Sequence, residues 1–279
     1  MTRRGEPVGR RLIGGVARGL GALRRRPRPG LRILMYHAIG LGDRFAVDAD
    51  GFAHQMAWLR EDSGLTVSAL ADAVADPPAP RTTVAAITFD DGYRSVLMLG
   101  APILVRRKLP FTVFVIGEYL RRPPVSGQYL DVSALRELAA LPDVTIGAHG
   151  YTHRPLTRLD DVALREDLRR SVDALSDALG RRPGVMSYPH GAMDRRVVRF
   201  VRDAGFDLAA TSLLGVNRAR TASLELRRTE VDAFDDDESF AGKVHGDYDW
   251  YQLKQRLYWP VPALESLNSG STSFVGEGS

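Results

Sequence analysis

Short apolar runs alternate with longer segments of helical period along most of the chain. Apolar runs that predict buried strands lie at 31–39, 83–89, 111–117 and 144–149. Apolar residues recur at helical spacing in 51–62, 94–107, 131–141, 160–179 and 193–204. Shorter apolar runs within VMSYP, FDLAATS and LRRTEVD continue the series, so that about seven strand–helix units follow one another.

Strand–helix alternation predicts a parallel sheet with its helices outside. About seven units over roughly 220 residues favour a closed barrel over an open sheet. The chain has neither a glycine-rich dinucleotide fingerprint after its first strand nor a P-loop lysine motif. In a barrel of parallel strands, side chains at the carboxyl ends of the strands face the active site. We therefore expect catalytic residues at these ends.

The absence of cysteine limits the chemistry that the chain can carry. None of the 279 residues is cysteine, which excludes disulfides, thiolate zinc sites and a cysteine nucleophile. Any bound metal must therefore be held by His, Asp and Glu. No apolar run reaches the ~18 residues that a membrane-spanning helix needs.

Positive charge is concentrated at the N-terminus. The net charge is +4, but residues 1–30 hold nine arginines against the single acid Glu6, so that the rest of the chain is acidic. A flexible, solvated arm is the favoured interpretation. Peripheral contact with an anionic membrane is the alternative, and nucleic-acid binding is disfavoured because the arm has no aromatic residue for base stacking. The stretch 12–23 resembles a weak signal peptide, but Arg18 interrupts it and no small-residue cleavage site follows. We expect a cytoplasmic or membrane-peripheral protein rather than a secreted one.

Polar side chains follow four of the predicted strands. They are His37, Asp90, Asp91, His149, His153 and His190. Each has an ordinary explanation: Asp-Asp-Gly is common in turns, and a lone histidine at a strand end often packs. The His-x-x-x-His spacing places two imidazoles on one face of a helical turn, as in some zinc sites, but by itself it arises by chance more often than not. Together, however, these residues favour a metal-dependent catalytic site, because two imidazoles and one carboxylate suit a hydrolytic divalent metal. The charge of that metal would let a second carboxylate stay ionised as a base.

Three motifs in this order resemble those of a known family. TFDDGY (88–93), HGYTH (149–153) and YPHG (188–191) resemble the polysaccharide deacetylases of carbohydrate esterase family 4, the NodB-homology domain. MYHAIG and FAHQMAWLRE further resemble the branch that contains the biofilm poly-N-acetylglucosamine deacetylases. The resemblance covers about residues 31–245 and implies an α/β fold, a distorted (β/α)7 barrel. It leaves residues 1–30 as a basic arm and 246–279 as a C-terminal extension whose Ser/Gly-rich end is expected to be disordered.

The resemblance also implies a role for each motif. Asp90 would be the general base, and Asp91 with His149 and His153 would hold a divalent metal. Zinc is expected, although the same ligands also accept Co²⁺, Ni²⁺ or Fe²⁺. The oxyanion and the substrate would be bound at Tyr188, Pro189 and His190.

Three departures from the family pattern change these expectations. Met186 stands where the family has an arginine, so that the group that tunes Asp90 must come from elsewhere. His190 replaces the usual tyrosine after Pro189. The usual C-terminal Leu-x-His acid is missing, and in the branch named above an N-terminal histidine takes its role. We therefore predict His37 as the general acid, with His245 as the weaker candidate.

The sequence thus predicts a metal-dependent hydrolase that removes N-acetyl groups from N-acetylated sugars of a polysaccharide or glycoconjugate. A hydrolase of the same fold acting on a small, non-polymeric amide is the alternative within enzymes. A catalytically silent carbohydrate-binding barrel is the alternative outside them. The complete set of Asp90, Asp91, His149 and His153 argues against a silent barrel.

Overall fold

A computed structural model describes residues 28–252, apart from 41, 43, 62 and 80. The strands in this part of the chain are β1 Gly30–Tyr36, β2 Ala38–Ile39, β3 Ala46–Val47, β4 Thr66–Val67, β5 Thr83–Phe89, β6 Phe111–Val115, β7 Val144–Ala148, β8 Val185–Ser187, β9 Leu208–Leu214 and β10 Leu226–Glu230. The α-helices are α1 Ala49–Glu61, α2 Leu70–Ala75, α3 Ala101–Arg106, α4 Val132–Ala139, α5 Asp161–Leu179, α6 Arg195–Asp203 and α7 Asp237–His245. The predicted basic arm up to residue 27 and the predicted disordered end beyond residue 252 lie outside the described residues, and membrane contact by the arm stays a prediction.

Seven parallel strands close into a barrel. Going round the barrel, the order is β1, β5, β6, β7, β8, β9 and β10, and β10 pairs with β1 to complete the ring. Short β4 adds to β5 outside the ring, and β2 pairs with β3 separately. The predicted barrel of parallel strands is confirmed, with helices between successive strands except β9 and β10, which are joined by residues 215–225 without an α-helix.

Alternation along the strands divides the apolar residues into two clusters. One fills the barrel interior and includes Ile33, Ala86, Phe114 and Ala210. The larger one lies between the outward faces of the strands and the helices. Gly147 of β7 is required by the interior packing, because a Cβ there would lie 2.6 Å from the Phe114 ring. The barrel is therefore a packed core rather than a pore.

The same alternation brings polar side chains into the barrel at the carboxyl ends of the strands. Thr88, Asp90, His149, Ser187 and Arg228 continue the inward-facing positions of their strands, and all five are buried. Among residues 28–252, apart from those that are not described, no helix has the length and apolar character needed to cross a membrane.

Helix ends follow the local sequence signals. Asp160 caps α5 by accepting a hydrogen bond from the Ala163 N–H at 2.8 Å, and Gly180 ends it in the left-handed conformation. The segment 94–107 begins as a π-helix at Val96–Gly100 before α3. The predicted single strand at 31–39 is instead two strands that are interrupted at His37, because β2 leaves the barrel to pair with β3.

A buried ion pair joins the first barrel strand to the chain that follows α7. Arg32 and Asp249 are both inaccessible to solvent, and the guanidinium donates to the two carboxylate oxygens at 2.7 and 3.0 Å. Arg32 also donates to the hydroxyl of Thr229 at 3.2 Å. Two matched hydrogen bonds offset the cost of removing both charges from water.

Candidate active site

Three possible metal ligands converge at the mouth of the barrel. Asp91 follows β5, and His149 and His153 follow β7. The Nε2 atoms of both histidines lie 3.3 Å from the same carboxylate oxygen, Oδ1 of Asp91. One ligand atom from each residue lies within 4.8 Å of the others. The structure thus brings together the three ligands that the sequence predicted.

The contacts of His149 fit a metal ligand. Its Nδ1 lies 3.0 Å from the backbone oxygen of Ser187 and 2.6 Å from the Ser187 hydroxyl. With the proton on Nδ1 for these acceptors, Nε2 carries the lone pair that a metal needs. Two imidazole nitrogens and one carboxylate oxygen form the donor set of many hydrolytic divalent-metal sites. The residues present therefore fit a divalent metal.

The electrostatics of the cluster favour a cation. Burial raises the pKa of Asp91, but the hydrogen bonding and charge of His149 and His153 outweigh burial and hold it well below the usual range. Burial lowers the pKa of His149, whereas the charge of Asp90 and the contact with Asp91 raise it above the ordinary value. The pocket thus concentrates negative charge that a bound cation would neutralise.

Asp90 lies beside the ligands and is paired with a residue that sequence reasoning missed. Arg228 of β10 donates to its two carboxylate oxygens at 2.7 and 2.6 Å, and both side chains are buried. Arg228 is itself fixed by a hydrogen bond to the Thr211 carbonyl at 2.8 Å. The Ser187 hydroxyl donates to Asp90 at 3.1 Å. The arginine that the third motif lacks is therefore supplied from another strand.

This pairing keeps Asp90 ionised in a dry site. Burial raises the pKa of Asp90, but the charge of Arg228, with those of His149 and His37 and the hydrogen bonds of Arg228, holds it below the usual value. The Nε2 atom of His149 lies 3.9 Å from Oδ2 of Asp90, so the carboxylate faces the metal ligands. A charged carboxylate held here can accept a proton from water bound beside the ligands.

The HGYTH segment is a loop and not a helical turn. Gly150 and His153 both have left-handed backbones, with φ of 67° and 60°. Asp167 of α5 sets the loop: its buried carboxylate accepts from the N–H groups of Tyr151 and Thr152 at 2.8 and 3.0 Å and from the Thr152 hydroxyl. A Cβ at Gly150 would lie 3.2 Å from Asp167 and 3.0 Å from Pro189. A tertiary contact, not helical periodicity, brings the two histidines together.

Three non-glycine residues at the site have left-handed backbones. They are Asp91, His153 and His190, with φ of 70°, 60° and 57°. Such conformations cost free energy and persist where the surrounding contacts impose them. Two of them are possible metal ligands and His190 packs against His153, and such a concentration of strained backbones is typical of functional sites.

The two candidates for the general acid, His37 and His245, lie in different surroundings. His37 lies half-buried at the end of β1, close enough to Asp90 to contribute to its low pKa. Its Nδ1 is buried and has no hydrogen-bond partner among the described residues. His245 lies at the end of α7 against the ring of Trp58, at 5.5 Å. The structure thus favours His37 over His245 for a role at the site.

The three residues of the predicted substrate segment, 188–190, do not all face the mouth of the barrel. The prediction that Tyr188 contacts the substrate is wrong for its side chain, which points outward into the core and donates its hydroxyl to the Leu224 carbonyl at 2.8 Å. The Tyr188 N–H donates to Ala210. Pro189 is buried under the ligand loop. His190 is exposed, its ring lies 4.6 Å from that of His153, and its Nε2 lies 3.1 Å from the His153 carbonyl. Only His190 of the three presents its side chain at the mouth.

We expect the purified protein to hold about one divalent metal ion per chain, and His153→Ala to lose it, because two ligands rarely retain a metal that needs three. His54→Ala, on the exposed face of α1, is the control and should keep the metal. Elemental analysis after gel filtration measures the occupancy. Full occupancy in the double variant His149→Ala/His153→Ala would rule out this site.

Asp167→Asn should weaken metal binding by ~10- to 100-fold, the usual effect of losing a residue that orients metal ligands. An amide nitrogen cannot accept the N–H groups of the loop. Asp173→Asn is the control, since Asp173 lies on the exposed side of the same helix and pairs with Arg169. Competition with a chromophoric chelator measures both affinities, and equal values in the two variants would show that Asp167 does not hold the ligand loop.

Comparisons with known proteins agree with this site. Residues 78–209 match the model of the polysaccharide deacetylase family. YxkH of Bacillus subtilis (strain 168), assigned to the polysaccharide deacetylases, is 24% identical over 203 residues, which cover 72% of this chain and 71% of that protein.

Solved structures share the fold. IcaB from Ammonifex degensii is 25% identical, with a TM-score of 0.66 over 80% of this chain and 98% of that one. The Streptococcus pyogenes deacetylase PplD, solved in complex with acetate, has a TM-score of 0.68 at 21% identity, over 78% of this chain and 99% of that one. The three motifs lie within the residues that match the family model, and the seven strands close into a NodB-like barrel, so that this part of the chain is similar to the polysaccharide deacetylases in both sequence and fold.

Proposed function

We propose that this protein is a metal-dependent hydrolase that removes N-acetyl groups from the N-acetylated sugars of a polysaccharide or glycoconjugate. The observation that carries the proposal is the pairing of Asp90 with Arg228 beside the cluster of Asp91, His149 and His153. One carboxylate is placed to bind a cation and its neighbour to accept a proton. The match of residues 78–209 to the polysaccharide deacetylase family supports an acetylated carbohydrate as the substrate.

A divalent metal bound here, which we propose to be zinc, would polarise the acetamide carbonyl and lower the pKa of a water molecule. Asp90 takes the proton from that water as it attacks the carbonyl carbon. Arg228 and the Ser187 hydroxyl hold the Asp90 carboxylate in place during this transfer. We assign stabilisation of the oxyanion to the backbone at His190, at the mouth of the barrel.

Collapse of the tetrahedral intermediate needs an acid, because a sugar nitrogen does not leave as an amide anion. We assign this role to His37, which lies at the end of β1 next to the β5 strand that carries Asp90. The Asp90 N–H donates to the carbonyl of Tyr36 at 2.9 Å, which fixes the two strand ends against each other. His37 can then deliver a proton to the nitrogen while the acetyl group leaves as acetate.

The test of the proposal is acetate release from a panel of acetylated compounds, with and without a chelator. The panel comprises N-acetylglucosamine oligomers, lipid-linked sugars, nucleotide sugars and small aliphatic acetamides. We expect release from the oligomers or the lipid-linked sugars, loss with chelator, and recovery with Zn²⁺. Release from the small amides alone would replace the carbohydrate substrate by a non-polymeric one. Sugar binding without release would indicate a silent barrel.

His37→Ala should slow acetamide hydrolysis by ~10²-fold or more while the metal stays bound, because the leaving nitrogen loses its proton donor. The loss should be much smaller with 4-nitrophenyl acetate, whose phenolate leaves without protonation. His245→Ala is the matched control. Rates on both substrates and metal content check the prediction. Equal losses on amide and ester in His37→Ala would contradict the role of an acid.

A further inference from the structure

Two short chain segments pair beside the metal ligands. The Leu130 N–H donates to the Gly92 carbonyl and the Arg94 N–H donates to the Gln128 carbonyl, both at 2.9 Å. Tyr93 and Tyr129 lie opposite each other between these hydrogen bonds, in an antiparallel bridge. Residues that lie opposite each other between two such hydrogen bonds have their side chains close together on one face.

Three tyrosine rings pack together on this pair of segments. The rings of Tyr93 and Tyr129 are stacked, with centroids 4.8 Å apart and planes at 26°. Tyr119, from the short 3₁₀ helix Glu118–Leu120 after β6, packs its ring against Tyr129 at 4.7 Å and 62°. All three side chains are half-buried, so that each keeps some surface in contact with solvent. We call Tyr93, Tyr119 and Tyr129 the tyrosine wall.

The tyrosine wall lies next to the metal ligands. Tyr93 follows Asp91 by two residues, and Tyr119 follows β6, the strand between β5 and β7 that lead to Asp91 and His149. The N–H groups of Gly117 and Glu118 donate to the carbonyls of Gly150 and Tyr151, at 3.1 and 3.0 Å, which holds the segment that carries Tyr119 against the loop between His149 and His153. Aromatic surface and phenol hydroxyls are thus presented beside the reacting groups.

This chemistry matches a sugar ring. A pyranose presents C–H groups on its faces and hydroxyls at its edge, and tyrosine offers an apolar ring with a polar tip to each. We propose that the tyrosine wall is a substrate subsite that stacks against a pyranose ring of the N-acetylated substrate while its acetamide lies at the Asp91, His149 and His153 cluster. The subsite rests on the proposed function, and it goes further by giving the specificity for sugar to these three residues.

The experiment compares substrates with and without a sugar ring, using the full-length protein loaded with Zn²⁺. The variants are Tyr129→Leu and Tyr119→Leu, with Tyr129→Phe as the conservative replacement and Tyr248→Leu, a half-buried tyrosine after α7, as the control. The substrates are the β-1,4- and β-1,6-linked tetramers of N-acetylglucosamine and 4-nitrophenyl acetate. Metal content and thermal unfolding are measured for each variant.

We expect Tyr129→Leu to raise KM for the tetramer about tenfold with a small change in kcat, in line with the loss of one aromatic stacking contact. Its ratio of kcat/KM for tetramer over ester should fall by a similar factor. Tyr129→Phe should restore KM, and Tyr248→Leu should match the unaltered protein. Equal falls for tetramer and ester would show that the wall only supports the fold, and would overturn the subsite.

Direct binding separates this proposal from the proposed function. If the unaltered protein releases no acetate, calorimetric titration with the two tetramers still tests the wall. Tighter binding by the unaltered protein than by Tyr129→Leu and Tyr119→Leu would support the subsite while deacetylation fails. Binding of neither tetramer, or equal binding by all variants, would overturn the subsite.

Discussion

Asp90→Asn should lower the turnover of N-acetylated sugars by ~10²- to 10⁴-fold while the metal stays bound. The amide has nearly the shape of the carboxylate and can still accept a hydrogen bond from Arg228, but it cannot take a proton from water. Acetate release under saturating tetramer measures kcat, and elemental analysis measures the metal.

The adjacent carboxylate gives the matched comparison. Asp91→Asn should lose both the metal and the activity, because Oδ1 of Asp91 is the oxygen that both histidines approach. The two variants differ by one position in the chain and by one readout. Near-normal turnover in Asp90→Asn would show that Asp90 is not the base. Loss of the metal from Asp90→Asn but not from Asp91→Asn would mean that the roles of the two aspartates are interchanged.

Arg228→Met should lower the free energy of unfolding by ~3–5 kcal/mol, because it leaves the buried carboxylate of Asp90 without its partner. Activity should fall as well, since the carboxylate loses two of the hydrogen bonds that orient it. Chemical denaturation of the metal-free protein measures stability without a contribution from the cation. In the double variant Arg228→Met/Asp90→Asn, part of the stability should return, because neither charge is then left unpaired.

Arg32→Met is the control for this experiment. Arg32 is as deeply buried as Arg228 and has a similar two-point contact with a carboxylate, Asp249, away from the metal ligands. Both variants should be destabilised, but only Arg228→Met should lose kcat in the fraction that remains folded. Full kcat in Arg228→Met would show that Arg228 stabilises the barrel without positioning the base.

The barrel could be predicted because its determinants are local. The apolar run 111–117 covers β6 and the two residues that follow it. The predicted helix 160–179 agrees with α5 to within one residue, because Asp160 and Gly180 cap its two ends. Their positions at the carboxyl ends of predicted strands were also enough to predict that Asp90, Asp91 and His149 lie on one face of the barrel. Alternation within a strand could have done more: with Ser187 facing inward beside His149, Tyr188 must face outward.

The rest of the site depends on contacts between residues far apart in the chain. Arg228 lies in a polar stretch of β10, and its partner is 138 positions away. The bend of the HGYTH loop is set by Asp167, which the helical pattern of α5 identifies only as one more acidic residue. No local pattern distinguishes these side chains from exposed charges. Closure of the barrel brings Arg228 to Asp90, and packing of α5 against the end of β7 brings Asp167 to the HGYTH loop.

The Arg32–Asp249 pair limits how far the barrel can be truncated from its C-terminal side. The family motifs end well before α7, and a shortened protein that stops at residue 245 would keep every predicted ligand. However, the buried guanidinium of Arg32 would then keep the Thr229 hydroxyl as a partner but lose its carboxylate. The smallest stable fragment must therefore run past Asp249, and sequence alignment to the motifs alone would place its end too early.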